Sequence, residues 1–401
     1  MMTRLPLKGV RVLSAEQYGA GPFGSMMLAD LGAEVIKIET PGSGDIARRT
    51  GALLLDTPDG TPDSQFFQSF NRNKKSLTLN LKTPEGQAIL HRLVATSDVV
   101  MNNLRGDLPA RLGLDHASLG PTKRSIVCAH LSAYGRDNER AAWPGYDYLM
   151  QAEAGYLHLT GEPDGPPVRM GLSIVDYMTG ITTAAALLAA LFDAARSGDG
   201  CDVDVSLFDV ALAQLTYPGV WYLNAGHATQ RAPRSGHPYT APCQLVKTAD
   251  GWVFVMCMTP GFWAALCAGL GRDEWLNDER FATPAARNEH RDTLSELLDG
   301  LFTEHDTAWW MDHFAGSLPI APVLDLPDAL DNPYVHATGM VGTADHAGGE
   351  PLQLIASPVK LDGARLPMRA CATLGADTHA LLSDVGYSRE EIARLRTEGA
   401  V

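Results

Sequence analysis

The chain has 401 residues, 45% of them hydrophobic, enough apolar material for a large core divided between two domains. A formal net charge of −15 argues against a nucleic-acid or anionic-membrane partner, so any bound anion must be met by local basic residues. Six scattered cysteines without a C-x-x-C pair predict reduced thiols in a cytoplasmic protein, and the dispersed histidines predict no metal site. No run is expected to reach membrane-span length, and the opening M-M-T-R-L-P-L-K-G-V lacks the apolar core of a signal peptide.

In chain order, Val10–Ser14 reads as a short apolar strand and Pro22–Leu31 as a helix with proline near its first position. Gly32 ends it, and A-E-V-I-K-I-E over 33–39 is the next strand. Ser76–Asn80 precedes a helix opened by T-P-E-G, with Thr83 as cap and Pro84 in the first turn. Strands follow at Asp98–Met101 and Ser125–Leu131. Alternating strands and helices with short links predict an α/β fold with a parallel, Rossmann-like sheet covered on both faces. The stretch from Ile181 to Phe192 is almost all Ala, Leu and Thr and predicts a helix buried on most sides.

Beyond it, Gly198 and Gly200 make a turn, Cys201–Val205 alternates as a strand, and a helix starts at Ser206. From Asn224 the polar A-G-H-A-T-Q-R-A-P-R-S-G-H-P-Y reads as a linker. Residues 235–325 form a smaller α+β unit around D-G-W-V-F-V-M-C-M, and a second extended, proline-marked linker runs from Leu318 to Pro351. The end is two short helices broken at Gly386, with Ser388 and Glu391 as a capping box. The domains are therefore expected as 1–223 with 330–401, and 224–329 with its linkers.

Two features carry chemistry. Gly19-Ala-Gly21-Pro-Phe-Gly24 matches G-x-G-x-x-G, with Glu39 at the distance of a ribose carboxylate. Four residues separate this turn from its strand and Pro22 removes a backbone N–H, which argues against nicotinamide binding. The glycines still permit close backbone approach. The second feature is Asp176, at the mouth of the long apolar helix. Unpaired N–H groups and the helix dipole would keep it ionised, as a carboxylate nucleophile requires. The alternative is a simple cap on a core helix.

The blocks L-K-G-V-R-V-L-S, A-G-P-F-G-S-M-M-L-A-D-L-G-A-E-V-I-K-I-E, F-N-R-N-K-K-S-L-T-L-N-L-K-T-P-E-G, D-V-V-M-N-N-L-R-G-D-L-P-A-R-L-G-L, P-G-Y-D-Y-L-M-Q-A-E-A-G-Y and T-H-A-L-L-S-D-V-G-Y-S occur in this order. Together with the Asp176 segment they closely resemble the class III CoA-transferases, over essentially the whole chain. The resemblance implies a large Rossmann-like domain built from both chain ends, a smaller domain, long linkers, and an interlocked ring-like homodimer. It implies Asp176 as the nucleophile, no permanently bound cofactor, and coenzyme A or acyl-CoA as substrate. It places CoA contacts at Tyr18, Leu79, Lys82, Asn103, Leu104, Arg111, Leu112 and Tyr146. Lys82 and Arg111, beside turn or helix ends, suit CoA phosphates, whereas the loop pair Lys74 and Lys75 reads as solvated. Each leucine could equally be plain core. Three departures from the family pattern stand out: Thr40 for a basic residue, Ala133-Tyr134-Gly135 for G-F-G, and Arg105-Gly106-Asp107 for R-P-G.

The expected reaction passes the acyl group of an acyl-CoA to Asp176 as a mixed anhydride and returns CoA to an acceptor acid. Related α-methylacyl-CoA racemases pair the aspartate with a histidine where this chain has Tyr146. An unassisted tyrosine, with its pKa near 10, suits proton abstraction poorly, so transfer is preferred over racemisation. A CoA-binding paralogue without chemistry is the other reading. Arg48, Arg49, Arg72, Arg136 and Arg169 are candidate clamps for the second carboxylate of a dicarboxylic acid.

Overall fold

The computed structural model describes residues 5–401. The chain folds into two compact units. The first runs to Ala154 and takes in Gly171–Gln214 and Pro333–Val401; the second comprises Gly155–Met170 and Leu215–Asn332. Residues 155–170 and 215–223 therefore stand with the second unit rather than the first.

The first unit is built on six parallel strands: β1 (Arg11–Ala15), β2 (Glu34–Glu39), β3 (Lys75–Thr78), β4 (Val99–Asn102), β5 (Val127–Ser132) and β6 (Asp202–Ser206). Their order is β3-β2-β1-β4-β5-β6. β1 pairs on one side with β2 and on the other with β4, so the connections diverge at its C-terminal end. In open parallel sheets that divergence leaves a crevice where ligands bind. The strands lie within one or two residues of their expected bounds. β1 and β4 are buried almost throughout, as a sheet covered on both faces requires. Thr83 caps the Pro84–Val94 helix by accepting from the Gly86 N–H, and the Ser388–Glu391 capping box opens Arg389–Thr397. Leu381, Leu382, Ile392 and Leu395 of the two last helices join the core beside Leu77, Leu79 and Ile89. Both chain ends thus complete one unit.

Ile174–Ser197 differs from expectation in two ways. Its most apolar 18-residue window has a mean hydropathy of 1.6, and the 24-residue helix is long and apolar enough by length and composition to cross a membrane. It is also not buried on most sides. Val175, Asp176, Thr179, Gly180, Thr183, Ala184 and Leu187 form one buried stripe, whereas Ile181 and Phe192 are exposed. A run of Ala and Leu has apolar residues all round, so composition does not say which face has a neighbour. The buried stripe packs on the Ala20–Asp30 helix and on β5 and β6, which makes it a core helix of this unit.

In the second unit β7 (Cys243–Lys247), β8 (Trp252–Met256) and β9 (Ile320–Pro322) form an antiparallel sheet in that order. Trp263, Trp275, Phe281, Leu298, Phe302 and Phe314 fill its core. The expected extended stretch from Leu318 to Pro351 instead contains the helices Leu326–Asp331 and Pro333–Ala337 and a strand at Val341–Ala344. Pro327 and Pro333 sit in helix first turns, where a missing N–H costs nothing, and Asp325 caps the first helix at the Asp328 N–H.

Candidate active site

The turn from Glu16 to Gly19 leaves β1 at the sheet's divergence point and is held from every side. Asn103, just beyond β4, accepts from the Gln17 N–H at 2.8 Å and donates to the Gln17 carbonyl at 2.6 Å. Lys37 donates to the Glu16 carbonyl and pairs with Asp45 at 2.8 Å; Asp45 in turn accepts from the Tyr18 N–H at 3.2 Å. Lys74 pairs with the Glu16 carboxylate at 2.9 Å. Tyr18 has φ +69°, a left-handed conformation that costs a bulky residue on the order of 1–3 kcal/mol and persists only where its surroundings impose it.

The three glycines of the G-x-G-x-x-G match serve contacts within the fold. A Cβ on Gly24 would lie 2.8 Å from the Gly180 carbonyl oxygen, one on Gly21 would lie 2.9 Å from Asn103 Cβ, and one on Gly19 would lie 2.2 Å from Asp176 Oδ2. The close approach that the glycines permit is to the Asp176 helix and to the Asn103 side chain.

Asp176 lies in the first turn of Ile174–Ser197 and is only 8% exposed. The expectation that helix N–H groups would stabilise its charge does not hold. The Asp176 N–H is taken by the Asp147 carboxylate at 2.9 Å, and no donor among the described residues reaches the Asp176 carboxylate. Asp147 is itself buried and accepts from Gln151. Burial, with the like charge of Asp147 second, pushes Asp176 up to about 7. A carboxylate in this setting is poorly solvated and holds its proton to higher pH than an ordinary one.

Asp176 opens on a cavity of about 540 Å³, lined also by Gln17, Tyr18, Gly19, Asn103, Leu104, Arg105, Trp143 and Tyr146. Four of the residues expected to contact CoA are therefore gathered around Asp176: Tyr18, Asn103, Leu104 and Tyr146. The Tyr18 ring lies 6.2 Å from that of Tyr146, edge to face. The other four line no part of this cavity. Leu79 is a core residue and Leu112 packs on the same core. Lys82 is exposed, and Arg111 is exposed with Asp107 at 3.4 Å. Gln87 donates to the carbonyls of both Leu81 and Leu112, so the Lys82 and Arg111 loops adjoin each other.

The arginines expected as clamps are mostly engaged elsewhere. Arg48 is fully buried on Glu39, Arg72 pairs with Asp30, Arg136 with Asp204 and Asp202, Arg49 donates to the Ser43 carbonyl, and Arg169 donates to the Met170 carbonyl. Lys74, expected to be solvated, is buried; desolvation lowers it to about 8 against the pull of Glu16. Sequence reasoning does not single out Arg105 or Trp143 as site residues, nor Asp147. Nothing local marks Asp147: its link to Asp176 spans 29 residues. Arg105 is visible only as part of a departure from a motif.

The family model for CoA-transferase family III matches residues 7–378. A succinate–glutarate CoA-transferase of Agrobacterium fabrum is 34% identical over 88% of this chain and 89% of its own. A succinyl-CoA:glutarate CoA-transferase of Mus musculus is 32% identical over 99% of this chain and 90% of its own. Among solved structures, a CaiB/BaiF family protein from Brucella suis superposes with a TM-score of 0.83 at 31% identity, covering 95% of this chain and 99% of that one.

Proposed function

The chain belongs to CoA-transferase family III, and from that premise we propose that Asp176 is the nucleophile of a CoA transfer from an acyl-CoA thioester to a carboxylic acid. The Asp176 carboxylate attacks the thioester carbonyl and the carbon–sulfur bond breaks, giving an aspartyl mixed anhydride and CoA thiolate. The acceptor carboxylate then attacks the aspartyl carbonyl and expels the donor acid, leaving a new anhydride. The thiolate attacks the acceptor's acyl carbon, releasing the new acyl-CoA and the Asp176 carboxylate. No net proton is consumed, and the thioester's energy passes through the anhydride to the product.

The observation that carries this reading is a buried carboxylate without a hydrogen-bond donor, facing a cavity at the sheet's divergence point. Such a group is poorly solvated and gains by losing its charge to acylation. Among the described residues the cavity lining contains no histidine, and the racemase position holds Tyr146, which favours transfer over α-proton chemistry. Tyr18, Asn103, Leu104, Arg105 and Tyr146 would border the thioester end of acyl-CoA. Lys82 and Arg111, with Leu79 and Leu112 behind them, would serve the nucleotide end. The names of the Agrobacterium and mouse relatives suggest dicarboxylic acids, such as succinate and glutarate, as acyl groups. A cytoplasmic homodimer, interlocked as the resemblance implies, completes the reading; the exposed Ile181 and Phe192 supply apolar surface for it.

The test is direct. Incubation with succinyl-CoA and hydroxylamine should yield a hydroxamate on Asp176, seen by peptide mass spectrometry. Asp176→Ala should transfer no CoA while binding CoA as the parent does. Parental turnover in that variant refutes the assignment.

A further inference from the structure

Position 19 differs from the other two glycines of its motif in what a side chain there would meet. At Gly24 the obstacle is the backbone of Gly180, so glycine serves helix packing. At Gly21 it is Asn103 and Glu16. At Gly19 the three nearest atoms all belong to one side chain: Asp176 Oδ2 at 2.2 Å, Cγ at 3.2 Å and Cβ at 3.7 Å. The sign of φ, −111°, does not by itself call for glycine, although ψ of −83° lies outside the regular helical and extended regions.

The turn that carries Gly19 cannot easily yield. Asn103 grips the Gln17 peptide from both sides, and the Tyr18 N–H is anchored on Asp45. Phe23 donates to the Gly19 carbonyl at 2.9 Å, tying the residue to the helix that follows. Asp176 is fixed at its own backbone by Asp147. Two rigid backbones therefore face each other, and the space between them is the width of a carboxylate.

We infer that Gly19 is a positioning residue: its missing side chain forms the recess in which the Asp176 carboxylate rests, and so sets that carboxylate's reach toward a bound thioester. The inference rests on the reading of Asp176 as nucleophile. A methyl group at position 19 would fill the recess and turn the carboxylate outward into the cavity, where water reaches it. A displacement of an ångström at a reacting atom costs up to about a hundredfold in rate.

The experiment is steady-state kinetics of Gly19→Ala with succinyl-CoA and glutarate, beside the parent and Asp176→Ala. The expected result is a fall in kcat of about tenfold or more with the KM for succinyl-CoA within about threefold. The acid limb of kcat/KM should also move to lower pH, because the displaced carboxylate is better solvated. Parental kcat with an unmoved limb overturns the inference. Asp176→Ala separates the two claims: if it is inactive while Gly19→Ala is parental, only the role of Gly19 falls; if it is active, the nucleophile assignment falls. Should Gly19→Ala lower the thermal midpoint, Gly19→Ala/Asp176→Ala decides. Recovery of the midpoint supports the inference, because the obstructing carboxylate is gone; a persistent loss overturns it.

Discussion

Replacing Asp176 by asparagine should make the protein more stable, by an amount that grows with pH. The carboxylate stands at about 7 in the fold against an ordinary value of 3.8. A group raised in the folded state binds more protons there than in the unfolded chain, so stability falls as pH rises from about 4 to about 7 and stays low above that. At ~1.4 kcal/mol per pKa unit, three units amount to a cost on the order of 4 kcal/mol at alkaline pH. Asparagine is close in shape and never ionises, so it avoids that cost. The stability gap between Asp176→Asn and the parent should be about 2 kcal/mol wider at pH 8.5 than at pH 5.5, because only part of the titration is complete at the lower value. Thermal unfolding of both proteins across this range, followed by circular dichroism, reads the gap as a difference in midpoint. An equal gap at both pH values, or an asparagine variant less stable at pH 8.5, would mean that the carboxylate is not held at a cost.

Three further outcomes follow from the same structure. With Asp176 as the proposed nucleophile, transfer should show an acid limb in kcat/KM near pH 7, because only the ionised carboxylate would attack; Asp147→Asn should move that limb lower without reaching the ordinary carboxylate value, because burial is the larger cause. Lys74→Met should lower stability by about 3–5 kcal/mol, since it strands the Glu16 carboxylate, 1% exposed, without its cation; a change below about 1 kcal/mol in urea unfolding would contradict the pairing. Light scattering should give twice the chain mass for the parent, and Ile181→Asp, on the exposed face of the Asp176 helix, should shift the protein toward the single-chain mass.

Much of the first unit was legible because its signals are local. Thr83-Pro84-Glu85 announces a helix start, Ser388 and Glu391 announce another, and A-E-V-I-K-I-E is a buried strand by its apolar run. What escaped depends on partners far along the chain. Pro327 and Pro333 look like linker residues until their helices are seen, because proline suits a first helical turn as well as an extended chain. Arg48 and Lys74 look like surface cations until Glu39 and Glu16 are brought to them. Asp176 was legible as a carboxylate at a helix start, but its electrostatic setting was not. Its position at a helix start suggested a stabilised charge, whereas Asp147 occupies the N–H that would have stabilised it.

That reversal bears on how the site would work. A carboxylate stabilised by helix N–H groups would be a weak nucleophile, because attack must give up the hydrogen bonds that hold its charge. Asp176 has none to give up, and its charge is opposed by burial and by Asp147. In the proposed reaction acylation would neutralise it, so part of the cost carried in the resting state, on the order of a few kcal/mol, would be recovered as the anhydride formed. The same recovery would make the anhydride more persistent than one on an exposed aspartate, which a two-step exchange between acids needs. The glycine at 19, the carboxylate at 147 and the closely packed helices are then parts of one device. If Asp147→Asn both stabilised the protein at pH 8.5 and slowed acyl-enzyme formation at saturating pH, the link between resting strain and rate would stand. Stabilisation with an undiminished acylation rate, measured by stopped-flow release of CoA thiolate, would break it.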